Sequence, residues 1–184
     1  MNLRSRHEEK YNSLSHLVLA IASLLFLFDT SYSFEVFFFF SFVTFFSSCL
    51  YHSIEKPKYK LFFRQCDIAS IYWLVAATVY DLLPVYFGIG FLSLTILMSY
   101  PTLTMKMSDL YSDVALIILS VAAFLLPVII GNFRITSLVG LAFYALGLPF
   151  YFSGDKPWRH TVWHVFVCIG WSIYAFGKIN YGFV

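Results

Sequence analysis

The chain has 184 residues, 60% of them hydrophobic and 12% charged, with a formal net charge of +2, and its mean hydropathy is +0.76. A soluble domain carries about half apolar and about a quarter charged residues, so that class is excluded. Intrinsic disorder, a secreted disulfide scaffold and a nucleic-acid-binding module are excluded on the same grounds.

What the composition fits is an all-α integral membrane bundle. At about 20 residues per span, seven spans take roughly 140 residues and leave about 44 for connections and tails, so a single seven-span domain over residues 1–184 is expected. The first thirteen residues hold Arg4, Arg6, His7, Glu8, Glu9 and Lys10. The apolar run after them lacks a small-x-small cleavage site and reads as a retained first span over about 13–30, not a signal peptide. Gly, Pro and charge clusters then set further spans at about 35–53, 66–83, 84–101, 110–131, 135–153 and 160–181. A bent hairpin around Asp81 to Pro84 is expected to separate the third from the fourth. The aromatic run Phe37 to Phe40 reads as lipid-facing or packing residues. Cys49, Cys66 and Cys168 are widely spaced and form no CxxC pair, so they read as small packing residues.

With the connections numbered alternately, the amino-terminal tail and the even-numbered loops hold ten of the twelve basic residues, and only Arg134 and Lys178 fall on the other side. This positive-inside asymmetry places the amino terminus in the cytoplasm and the carboxyl terminus outside, with the plasma membrane as the expected location.

Ionisable side chains within spans are expensive and tend to mark a site. His52 lies at the cytoplasmic end of span two, with Ser48 one turn deeper on the same face. Asp67 opens span three. His160 and His164 begin span seven and share one face, about 6 Å apart along the axis. Three histidines and one aspartate from three helices therefore fall at nearly the same depth. Three neutral nitrogen donors are the number a catalytic zinc site uses while keeping its fourth position open. Asp67 is then placed either to accept a proton from water as general base or to orient a ligand by a hydrogen bond, and Ser48 to donate to a developing oxyanion. Glu9, Asn12, Ser15 and His16 cluster at the entry of span one, either as partners of those ligands or as helix-start residues. Asp109 and Asp113 read as first-turn acids of span five, Asp81 as an outer-side residue, and Trp158, Trp163 and Trp171 as interface and packing aromatics.

These residues fall into recognisable motifs: Glu9-x-x-Asn12-x-x-Ser15-His16, Ser48-x-x-Tyr51-His52, Asp67 followed by Ile71, Gly140-x-x-Phe143-Tyr144-x-x-Gly147-x-x-Phe150-Tyr151 and His160-x-x-Trp163-His164. Together they resemble the haemolysin III branch of the progestin and adipoQ receptor family. That family shares a superfamily with the alkaline ceramidases, which are seven-span zinc-dependent membrane hydrolases. The resemblance implies a zinc ion held by His52, His160 and His164, with Asp67 on the water and Ser48 near the reaction centre. It also implies a lipid-like substrate met in the bilayer. The chain departs from the branch in having Ile68 after Asp67, where the branch usually has His, and in lacking its threonine-rich turn after span three. A non-enzymatic receptor-like or lipid-homeostasis protein with structural zinc, and an ion-coupled relay, are the alternative readings.

Overall fold

The computed structural model of the protein describes residues 4–28, 36–104, 109–153 and 156–181. Among the described residues there is no strand. The described residues form seven α-helices: α1 (Arg6–Leu27), α2 (Val36–Ser53), α3 (Pro57–Val79), α4 (Val85–Leu103), α5 (Asp109–Ile130), α6 (Ile135–Tyr151) and α7 (Arg159–Tyr181).

Two helices start well before the apolar run that betrays them. Helix α1 begins at Arg6 because Ser5 and Glu8 form a reciprocal capping box: the Glu8 N–H donates to Ser5 Oγ at 3.2 Å, and the Ser5 N–H donates to Glu8 Oε2 at 3.1 Å. Helix α3 begins at Pro57, whose ring suits the first helical position and whose missing N–H leaves no orphan donor there. Start signals of this kind fix where a helix begins regardless of polarity, so both helices carry a charged turn or two beyond the expected spans. A single 3-10 turn, Tyr80–Leu82, and Pro84 break the chain between α3 and α4, at the place expected for the bend.

Among the described residues five helices, α1, α2, α4, α5 and α7, are long and apolar enough to cross a membrane. Helix α6 has 17 residues. Helix α3 carries Lys58, Lys60, Arg64 and Asp67 in its first half, and these lower its hydropathy. The apolar side chains that face outward, such as Leu97 at 70% exposure on α4 and Ile129 at 76% on α5, would be a liability in water but suit hydrocarbon.

Helix α3 sits against α2, α4 and α5, α1 packs on α2 and closes against α7, and α6 lies along α7. One core joins Phe37, Phe38 and Phe45 of α2 to Trp171 and Tyr174 of α7; Trp171 Nε1 donates to Ser41 Oγ at 2.9 Å. The aromatic run of α2 is thus split, with Phe37 and Phe38 buried and Phe39 exposed. The α6–α7 contact depends on glycine. A Cβ on Gly140 would sit 2.9 Å from the Gly170 carbonyl oxygen, and one on Gly147 would sit 2.6 Å from the Trp163 ring. Close backbone approach at small residues is how helices associate where no hydrophobic effect separates them from lipid. Here it fixes Trp163, the neighbour of His164.

Candidate metal centre

Two helices bring the site together at one end of the bundle: the last turn of α2 supplies His52, and the first turns of α7 supply His160 and His164. One ligand atom from each of these side chains lies within 4.8 Å of the others. Their ring centroids are 5.3 Å (His52–His160), 4.9 Å (His52–His164) and 4.5 Å (His160–His164) apart. His52 and His164 are buried and His160 is half-buried.

The hydrogen bonding of these rings shows what they are ready for. Nε2 of His52, Nε2 of His160 and both ring nitrogens of His164 are buried without a partner. Each buried polar atom left unsatisfied costs about 1–3 kcal/mol, and a shared cation removes that cost at several atoms together. The donor set is all imidazole, which suits zinc and other late first-row ions and not calcium or magnesium. The residues present therefore fit a metal ion.

A hydrogen bond already sets the orientation of one ring. Glu9 Oε2 lies 2.5 Å from His52 Nδ1. A carboxylate only accepts, so the proton is on Nδ1 and the Nε2 lone pair faces the other histidines. Glu9 is itself held by Lys60, whose Nζ donates to Oε1 at 3.0 Å and to the Tyr51 carbonyl at 3.4 Å. Lys60 is only 6% exposed. A second clasp ties the helix starts together: the Trp158 N–H, just before α7, donates to Glu8 Oε1.

The remaining expected residues line one cavity of about 920 Å³ between α2, α3, α5, α6 and α7. Ser48 and Asp67 stand at its histidine end, with the Ser48 hydroxyl in hydrogen-bonding range of the Asp67 carboxyl. Ser48, expected to serve an oxyanion, thus has the Asp67 carboxyl as a neighbour. The opposite end is apolar, walled by residues such as Leu116, Phe124, Leu125 and Leu141. Of the span-one cluster, Glu9 partners a candidate ligand, and His16 packs its ring 4.1 Å from His164 with its Nδ1 buried and unpartnered. Asn12, fully buried, has no partner for either amide atom, and Ser15 bonds back to the Asn12 carbonyl within its own helix.

Asp113, expected only as a helix-start acid, also lines the cavity and accepts from Tyr151 Oη at 3.1 Å. The side chains of Asp81 and Asp109 lie outside the described residues. The three cysteines are free, as their spacing implied. Sequence reasoning missed Glu8 and Lys60. The capping-box spacing Ser5-x-x-Glu8 was a signal for the first; the second was hidden among the loop lysines, since nothing local distinguishes a buried lysine from a solvated one.

A model of the haemolysin-III related family matches residues 4–139. The matched segment takes in Glu9, His16, Ser48, His52 and Asp67 and ends before α7 and its two histidines. No curated protein and no solved structure matches the chain.

Proposed function

We propose that this chain, which belongs to the haemolysin-III related family, is a seven-span membrane hydrolase that uses zinc to cleave an amide or ester bond of a lipid entering from the bilayer. The observation that carries this reading is the group of three imidazoles with unsatisfied nitrogens, at the polar end of a cavity that is otherwise apolar. Such a cavity suits an acyl chain whose carbonyl lies at the histidines. The basic loops support a cytoplasmic amino terminus, with the site near the inner face of the membrane.

Zinc bound there would polarise the scissile carbonyl and make water at the site more acidic. Asp67 accepts a proton from the water as its oxygen forms a bond to the carbonyl carbon. When the C–N or C–O bond breaks, Asp67 returns that proton to the leaving nitrogen or oxygen, so the products are a carboxylic acid and an amine or alcohol. Ser48 holds the Asp67 carboxyl in place and, by rotating its hydroxyl, donates to the carbonyl oxygen as charge develops. Glu9 keeps His52 in the tautomer that faces the other imidazoles.

A second reading is a non-enzymatic receptor-like or lipid-homeostasis protein with structural zinc. The position of His16 against His164 favours it, because a fourth imidazole would close the site. Purified zinc-loaded protein incubated with mixed ceramides, acylated lipids and phospholipids, followed by mass spectrometry of the products, separates the two. Hydrolysis predicts a zinc-dependent product that falls by about 10²–10⁴-fold in Asp67→Asn while the metal is retained. No zinc-dependent product from any of these lipids would support the non-enzymatic reading.

A further inference from the structure

We infer that His16 is a catalytic residue whose ring N–H, on the cavity side, donates to the carbonyl oxygen of the lipid as negative charge develops there. This rests on the lipid-hydrolase reading and gives the oxygen a second donor beside Ser48.

Glu9, Asn12 and His16 follow one another at helical spacing, so they share one stripe of α1. Glu9 reaches His52 from it, and His16 reaches His164. The His16 residue is 4% exposed. Its ring is held on two sides, with centroids 4.1 Å from His164 and 5.5 Å from Phe45, the latter nearly parallel at 20°. His16 and Phe45 both line the cavity. The imidazole therefore stands where the histidine end gives way to the apolar remainder.

This is a poor position for a fourth metal ligand. Two imidazoles on one tetrahedral zinc have centroids about 5 Å apart, from a Zn–N bond of about 2 Å and half a ring beyond it. His52, His160 and His164 meet that spacing at 5.3, 4.9 and 4.5 Å. His16 lies 6.3 Å from His52 and only 4.1 Å from His164. Among the described residues, the group whose ligand atoms all lie within 4.8 Å of one another holds those three histidines and not His16.

The hydrogen bonding of the ring points to the substrate instead. Its Nδ1 is buried without a partner, and so are both amide atoms of Asn12, one turn earlier and fully buried. A neutral imidazole carries one N–H and one lone pair. An amide N–H of Asn12 turned to the Nδ1 lone pair satisfies both residues and leaves the ring proton on Nε2, the nitrogen farther from the α1 backbone. Ser48 has the Asp67 carboxyl as a neighbour, so a carbonyl oxygen at this end gains from a donor with no such competing acceptor. Packing between His164 and Phe45 fixes the ring before substrate arrives, which is what makes such a donor effective. No proton is transferred in this step. The N–H stays on His16 while the water oxygen adds to the carbonyl carbon, and the hydrogen bond is strongest when the carbonyl oxygen is most negative.

The test uses full-length, zinc-loaded protein in a neutral detergent, with His16→Phe, which keeps a ring but no donor, and His16→Gln, which keeps a donor. Zinc content and melting temperature are measured for each. Binding of a long-chain trifluoromethyl ketone, whose hydrate presents a tetrahedral oxygen, is compared with that of the unfluorinated ketone. His16→Phe should retain its zinc, weaken the fluoroketone by at least about tenfold and leave the plain ketone within about threefold. With a short-chain ceramide and a short-chain phospholipid, kcat for the lipid that is cleaved should fall by about 10²–10³-fold with KM little changed, because the donor acts in the transition state. His16→Gln should retain more of both than His16→Phe. Zinc lost from a folded His16→Phe would make His16 a ligand and overturn the proposal. Fluoroketone affinity equal in His16→Phe and wild type, or an equal loss in His16→Phe and His16→Gln, would overturn it too. Fluoroketone binding that depends on His16 in a protein that cleaves neither lipid would count against hydrolysis and leave the donor standing, whereas zinc-dependent cleavage unchanged in His16→Phe would do the reverse.

Discussion

Replacing Glu9 with glutamine should weaken metal binding without touching a proposed ligand. The carboxylate does two things at once: it accepts from His52 Nδ1 at 2.5 Å and from Lys60 Nζ at 3.0 Å. Glutamine is close in size but neutral, so it lowers the electron-donating power of the His52 ring and leaves the Lys60 cation buried without a counter-charge. Loss of such an outer partner typically costs about 10–100-fold in metal affinity, or about 1.4–2.7 kcal/mol. Lys60→Met should have a smaller effect in the same direction, because Glu9 still holds the ring. The ion pair between Arg6 and Glu55 is the control: its separation is 2.8 Å, but its side chains are 77% and 73% exposed, so Arg6→Ala should leave affinity unchanged. Competition against a chelating dye on detergent-purified protein measures all three variants. A Glu9→Gln affinity within about threefold of the wild type would refute the argument that this carboxylate orients His52.

Gly147→Ala should push the Trp163 ring away from α6 and lower thermal stability by about 1–3 kcal/mol, with partial loss of metal, as read by a detergent-compatible melting assay and elemental analysis. Glu8→Ala removes both the capping box and the clasp on the Trp158 N–H; it should cost about 1 kcal/mol or more and increase proteolysis of the segment before α7. For orientation, single cysteines placed at Glu55 and at Phe133 in a cysteine-free background should react oppositely with a membrane-impermeant reagent: Phe133→Cys from outside in intact cells, and Glu55→Cys only after the membrane is opened. Labelling of Glu55→Cys in intact cells would reverse the proposed topology.

The histidines were legible because their signal is local and needs only a helix: a spacing of four from His160 to His164 puts both on one face, and the cytoplasmic end of α2 sets the depth of His52. The breaks were legible where proline or a turn enforces them, as at Pro84. The starts of α1 and α3 were not placed by the apolar runs, since a capping box and a first-turn proline act on backbone groups irrespective of side-chain polarity. Lys60 and Arg64 read as part of a solvated basic loop, yet they enter the protein because α3 begins at Pro57, ahead of its apolar run, turning one face of those charged turns toward α1 and the cavity. Burial of that kind is a tertiary property, and the charge count that gives orientation cannot see it. Asp113 shows the same limit: a first-turn acid by position, it becomes a cavity residue only once α6 brings Tyr151 to it.

The most direct test of the account is the metal content of detergent-purified protein by elemental mass spectrometry, with wild type beside His52→Ala, His160→Ala, His164→Ala and Asp67→Ala. The account predicts about one zinc per chain, lost with each histidine and retained in Asp67→Ala. A folded wild-type protein that takes up no metal when zinc is supplied would contradict it.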